Sequence, residues 1–145
     1  MLSGPPLDGQ GEVVPHDHHG IKDADGVIRR VSPQFVVADP KTGPRISTLA
    51  LKPSSGPNGG LSVDLRCEIE SAGYNPMEYV MSPPWIGAIH FQAGVLRAEA
   101  LKVGFHPLAD QPFHGEVWGD FTRSRQKRLL TVASWFVPLP GVALG

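Results

Sequence analysis

The chain contains one cysteine, Cys67, so no disulfide can close within it. Its apolar stretches fall well short of the roughly 18 residues a spanning helix needs, which sets aside a helical membrane protein. No basic leader followed by an apolar run opens the sequence, so no secretory signal is expected, and a reducing, cytoplasmic setting follows. Several enzyme signatures are missing as well. There is no C-x-x-C, H-x-x-x-H or paired-carboxylate motif. Ser62 does not sit in a G-x-S-x-G elbow, and Gly56, Gly59 and Gly60 lack the lysine and hydroxyl of a phosphate loop. These absences argue against zinc enzymes, elbow hydrolases, P-loop enzymes and Rossmann dehydrogenases, and no cofactor is expected. Repeats, heptads and low-complexity tracts are also lacking.

What remains is globular in kind. The 145 residues leave room for one ordinary domain, and 41% hydrophobic content with a net charge of −1 is not the signature of disorder. With 17 glycines and 15 prolines, regular elements must be short and turns many. The expected architecture is α+β: a small, turn-rich mixed or antiparallel sheet with short helices and a C-terminal amphipathic helix. Residues 1–24 read as a flexible N-terminal arm and residues 25–145 as the single domain.

Within that domain, 27–31 reads as a strand after the Asp25–Gly26 turn, and 34–38 as extended after Pro33. Residues 46–51 fit a strand and 52–60 a surface loop. In 61–71, period-two alternation of Val63, Leu65, Cys67 and Ile69 competes with helix signals, and a strand passing into a short helix is favoured. Asn75, Pro76 and Glu78 form a helix start, with Pro83–Pro84 as its stop. Extended runs at 85–91, 98–105 and 113–118 flank one helical turn at 93–97. The last helix is expected from a cap at Asp120 or Thr122 to about Phe136, with Leu129, Leu130, Val132, Ala133 and Phe136 on one face.

Candidate chemistry is sparse. His16, His18 and His19, with Asp17, have the side chains of a metal site but no predicted scaffold. His90 reads as a satisfied core residue, and Cys67 as an inert thiol. His114 and Glu116 share one strand face, as an imidazole base and its orienting carboxylate could. All 14 acidic side chains precede residue 121, whereas Arg123, Arg125, Lys127 and Arg128 follow it. That basic group could bind an acidic partner or a phosphate backbone. Trp85, Trp118 and Trp135, with Tyr74 and Tyr79, are core residues or interface anchors.

Two resemblances follow from these residues. Arg30 on a first strand, Ser47 on a later one and Glu116 on a still later one resemble the order of the dinucleotide pocket in ADP-ribosyltransferases, although the hydroxyl–x–hydroxyl triplet of that family is not present. The resemblance implies an arginine clamp on pyrophosphate and a glutamate aligning a ribose hydroxyl. Over residues 27–120, the succession IRRV, ISTLALK, GLSVD and PFHGEVWG resembles a set of small uncharacterised bacterial proteins and implies no activity. The expected function is a non-enzymatic binding or protein-interaction module, whose partner is another protein or a second copy. The alternatives are a small NAD-dependent ADP-ribosyltransferase-like enzyme using Arg30, Ser47 and Glu116, and a nucleic-acid binder acting through residues 123–128.

Overall fold

The structure, a computed structural model, describes residues 2–56, 58–82 and 85–144. Turn residues cut them into eight strands, four short α-helices and two 3-10 turns. The Asp25–Gly26 turn opens β1, Gly26–Val31. A 3-10 turn at Pro33–Phe35 leads to a hairpin of β2 (Val36–Asp39) and β3 (Gly43–Ile46). The strand expected over 46–51 stops at Ile46. There the Ser47 hydroxyl accepts from the Leu49 amide, and Thr48–Leu51 wind into a second 3-10 turn, because a side-chain acceptor captures a donor that a ladder would need.

The competing patterns in 61–71 are both realised, in succession, as β4 (Leu61–Leu65) and α1 (Arg66–Ser71). Asn75 caps α2, Pro76–Val80, by accepting from the Glu78 amide. Pro83 and Pro84, its expected stop, lie outside the described residues. Then come β5 (Gly87–Gln92), α3 (Ala93–Ala98), β6 (Lys102–Phe105) and β7 (His114–Trp118). Thr122 caps α4, Arg123–Val132, accepting from the Arg125 amide. This helix ends four residues before Phe136. Ser134–Val137 instead form β8, an edge strand on β5, because pairing with an existing sheet outweighs the helical pattern of so short an apolar run. Among the described residues no helix is long and apolar enough to cross a membrane.

Six strands make one sheet in the order β6-β7-β4-β1-β5-β8, and every paired neighbour is antiparallel. The main core gathers Val27, Val63, Leu65, Ile89 and Val117 from the sheet, with Leu51, Leu96 and Leu129 packed among them. A second cluster joins Ile28, Ala88 and Phe136 to Ile69 of α1 and Val80 of α2. Each such side chain contributes about 1.5–3 kcal/mol by leaving water. Beside the second cluster, β1, β4 and β7 carry Arg30, Asp64, His114 and Glu116. That polar half of the sheet is where the candidate site lies.

Residues 2–24, expected as an arm without an anchor, are strapped onto the β6 edge. The His18 amide donates to the Val103 carbonyl (2.8 Å), the Val103 amide to Asp17 Oδ1 (2.9 Å), and the Phe105 amide to His16 Nε2 (3.1 Å). Side-chain acceptors thus occupy an edge that would otherwise offer unpaired donors. A Cβ at Gly104 would run into His16 and Trp118, so glycine is what lets the strap lie there.

His90 is half-buried, and its ring is not fully satisfied. Its buried Nε2 finds no hydrogen-bond partner among the described residues, and its ring stacks on Phe136 at 5.4 Å. Burial, then the Arg66 charge, lowers its pKa below the ordinary histidine value. With the folded pKa depressed, the unfolded chain takes up the extra proton first. Stability is therefore fully present above about pH 6.5 and is lost as pH falls through the folded pKa. The expected slope is at most about 1.4 kcal/mol per pH unit for one proton. Chemical denaturation between pH 5 and 7 should show this limb, and His90→Phe, which keeps the stack, should flatten it. An equally steep limb in the variant would assign the acid sensitivity elsewhere.

Candidate functional site

The ladder between β1 and β4 lasts for only two pairs, Val27↔Leu65 and Ile28↔Asp64. Beyond it, arginine side chains bridge the two strands in place of backbone bonds. Arg29 donates from Nη1 to the Ser62 carbonyl (2.9 Å) and from Nε to that of Ala50 (2.8 Å). Burial pushes its pKa down to about 10, opposed by the charge of Asp64, so it stays a cation at neutral pH. Arg30 grips the Asp64 carboxylate with two parallel bonds, Nε at 2.8 Å and Nη2 at 3.0 Å, and lies over the Tyr79 ring. Asp64 is 3% exposed. This two-pronged geometry is among the stronger ion-pair arrangements available to a protein.

A cavity of about 290 Å³ opens where the strands part, lined by Arg30, Ser62, Asp64, Trp85, Gln111 and His114 among others. His114 stands directly opposite Asp64 in the β4–β7 register. Its Nδ1 lies 2.8 Å from the His106 carbonyl. A carbonyl only accepts, so Nδ1 carries the proton and the neutral ring keeps its lone pair on Nε2. No partner for Nε2 is found among the described residues. His106 is held in turn: its Nδ1 donates to Glu116 Oε2 (2.8 Å) and its amide to the His114 carbonyl (3.0 Å). The two imidazole centroids are 5.4 Å apart.

Arg30 and His114 therefore meet at one cavity, and Glu116 rises from the same strand face as His114. The pairing differs from the one expected. Glu116 orients His106, while a backbone carbonyl orients His114. His106 and Glu116 are brought together only by the β6–β7 register, in which Phe105 faces Gly115. The sequence carries no signal for that partnership, nor for Trp85 and Gln111 on the cavity wall. Asp64 is legible only as one position of an alternating strand.

The other expected groupings are not assembled. Ser47 caps its 3-10 turn and lines a different cavity, so Arg30, Ser47 and Glu116 do not form a dinucleotide pocket, and the Arg30 fork is already taken by Asp64. His16 and His18 have spent their ring lone pairs. His16 donates from Nδ1 to the Val14 carbonyl and accepts at Nε2, while His18 donates from Nε2 to the Ser3 carbonyl and accepts from the Gly20 amide at Nδ1. His19 stacks on His18. Among the described residues no group of three or more side chains could hold a metal ion.

The basic group divides into two flanks of α4. Arg128 forks onto Glu99 (2.7 Å at the shortest), and Arg125 lies 4.0 Å from the same carboxylate. Arg123 and Lys127 have no ion pair among the described residues. Arg29 and Arg30 do not extend the α4 basic group: Arg29 spends Nε and Nη1 on backbone carbonyls at the β1–β4 gap, and Arg30 is paired with Asp64. Cys67 is pushed up to about 11 by burial, reinforced by Asp25 and Glu68, which keeps it a thiol rather than a reactive thiolate. Trp118 and Trp135 stand at opposite sides of the sheet. Trp118 lies tilted against His16 and donates to the Asn58 carbonyl, whereas Trp135 is on the edge strand β8. No protein-family model, no curated protein and no solved structure matches the chain.

Proposed function

We propose that the protein is a binding module for a small, neutral, polar molecule, held in the cleft between β1, β4 and β7. The observation that carries this reading is His114. Its Nδ1 is tied to the His106 carbonyl while its Nε2 has no partner among the described residues, and the residue lines a cavity. A nearly buried side chain with an unused acceptor next to solvent-filled space is an incomplete hydrogen-bonding arrangement, which a ligand donor completes. A ligand held by hydrogen bonds rather than by an ion pair suits this wall, because Arg30 and Asp64 neutralise each other and Arg29, the remaining cation, spends Nε and Nη1 on backbone carbonyls. Trp85 offers a flat face for a ring, and Gln111 offers both a donor and an acceptor.

The test uses a panel of neutral heteroaromatic probes, nicotinamide, uridine and adenosine, followed by thermal shift and by the His114 ring signals in NMR. A binder should raise the melting temperature and move those signals. His114→Asn retains a donor in the place of Nδ1 but has nothing at Nε2, and it should lose the binding. Undiminished binding by that variant, or no binding to the wild type, counts against the reading.

A second reading is favoured by the fixed tautomer. A neutral imidazole with its lone pair exposed on Nε2 is a proton acceptor, and His106 with Glu116 stands beside it. In that case His114→Asn removes turnover of a bound substrate while leaving its affinity within a few fold. Either reading suits a bacterial, cytoplasmic protein, where a single protonated thiol needs no partner. Docking of a protein partner or a second copy is the remaining version of the binding class, for which Tyr74 and Met77 are among the exposed apolar side chains.

A further inference from the structure

We infer that the cavity between α4 and the β2–β3 hairpin is a separate binding site for a small phosphomonoester carrying an apolar group. It measures about 540 Å³, against about 290 Å³ for the cleft, and is within the range of ligand pockets. Every charged side chain on its wall is a cation: Arg45 from β3, and Arg123 and Lys127 from α4.

The α4 pair stands four residues apart and so shares one face of the helix, where two like charges repel. Arg125 and Arg128 point to the other flank and are satisfied by Glu99. No acid does the same for Arg123 and Lys127 among the described residues, so an anion between them relieves a repulsion that the fold leaves standing. Arg45 binds Asp39 through Nε (3.0 Å) and reaches the Ile46 carbonyl with Nη1, which leaves Nη2 to donate.

Hydroxyl groups supply the directional part. Ser47 Oγ accepts from the Leu49 amide, so its own proton remains available, and Thr48 lies beside it on the cavity wall. Thr131 is not counted as a donor, because its hydroxyl already donates to the Arg128 carbonyl (2.6 Å). Two cations without an acidic partner among the described residues, the remaining Arg45 donor and two hydroxyls suit a doubly charged group with three terminal oxygens better than a carboxylate. Val37, Ala38 and Leu130 provide the apolar wall for the carbon part of the ligand. A nucleic-acid backbone is not the occupant, since the basic surface ends where Glu99 takes up Arg125 and Arg128.

Phenyl phosphate is the probe, titrated calorimetrically into the full chain at low ionic strength, with inorganic phosphate and a short single-stranded oligonucleotide in parallel. Phenyl phosphate should bind more tightly than inorganic phosphate. The double variant Arg123→Gln, Lys127→Gln should weaken phenyl phosphate by at least about tenfold, whereas Arg125→Gln should leave it unchanged. Both positions are exposed on a capped helix, so the double variant should keep the wild-type circular dichroism spectrum. His114→Asn should bind phenyl phosphate like the wild type, which separates this site from the cleft. Four results overturn the inference: no binding by the wild type, undiminished binding by the double variant, phenyl phosphate no better than inorganic phosphate, or an oligonucleotide that binds tightest and depends on Arg125.

Discussion

Asp64→Ala is expected to destabilise the protein by about 3–5 kcal/mol, the usual cost of leaving a buried charge without its partner. The Arg30 side chain is 13% exposed and that of Asp64 4% exposed, so little water can replace the lost carboxylate. Two bonds disappear at once, and a guanidinium cannot shed its charge at any ordinary pH. Arg29 makes matters worse. Burial already depresses its pKa to about 10, and the negative charge of Asp64 is what opposes that depression. Removing Asp64 thus strands two cations in the gap where β1 and β4 separate. The result is a large drop in the urea midpoint with the slope of the transition unchanged. Pairing Asp64→Leu with Arg30→Met should recover a large part of the loss, because an apolar pair of similar size avoids the desolvation of both ions. A single variant within 1 kcal/mol of wild type would mean that the fork is dispensable and that the gap closes by other contacts.

The strap at the β6 edge carries the second large effect. Asp17 Oδ1 accepts from the Val103 amide and also from Arg97 Nε, while Arg97 reaches Asp23 and the carbonyls of His18 and Ile21. Asp17→Ala leaves the Val103 amide and one edge of the Arg97 guanidinium without acceptors, for an expected loss of about 1–3 kcal/mol. Asp17→Asn still offers an oxygen to Val103 and should recover part of it. Hydrogen exchange reads the effect locally: the Val103 and Phe105 amides should exchange faster in the alanine variant, while those of β1, inside the sheet, should change far less. Unchanged protection at Val103 would show that the strap is not what covers this edge. Because the freed strand presents its donors to a neighbouring molecule, sedimentation should also detect self-association of the alanine variant at high concentration.

The limits of legibility follow from which interactions are local. Elements set by neighbours in the chain could be read directly: the Asn75–Pro76 helix start, the Thr122 cap, the strand after Asp25–Gly26, and the late strand ending at Trp118. Where the outcome depended on a distant partner, local pattern misled. Residues 134–137 continue a helical face in sequence yet extend to pair with β5. Residues 2–24 look unanchored because they hold few apolar side chains, but His16 and Asp17 bind them to backbone amides some ninety residues away. His16 and His18 looked like loose ligands and are instead fully used hydrogen-bonding groups.

The candidate site divides in the same manner. Residue type alone marked Arg30, His114 and Glu116, since charged and titratable side chains on otherwise apolar strands must find partners or water. Residue order also suggested Ser47, whose partner turned out to be its own backbone two residues on. Composition, turn chemistry and short-range alternation by themselves determined a small α+β chain of brief elements with one unpaired thiol. Only the tertiary structure decided that Asp64 answers Arg30, that His106 takes Glu116 while His114 is held by a backbone carbonyl, and that Arg123 and Lys127 part company from Arg125 and Arg128. Those outcomes are set by strand register and helix facing, which follow from burying the whole sheet at once and so belong to no segment taken alone.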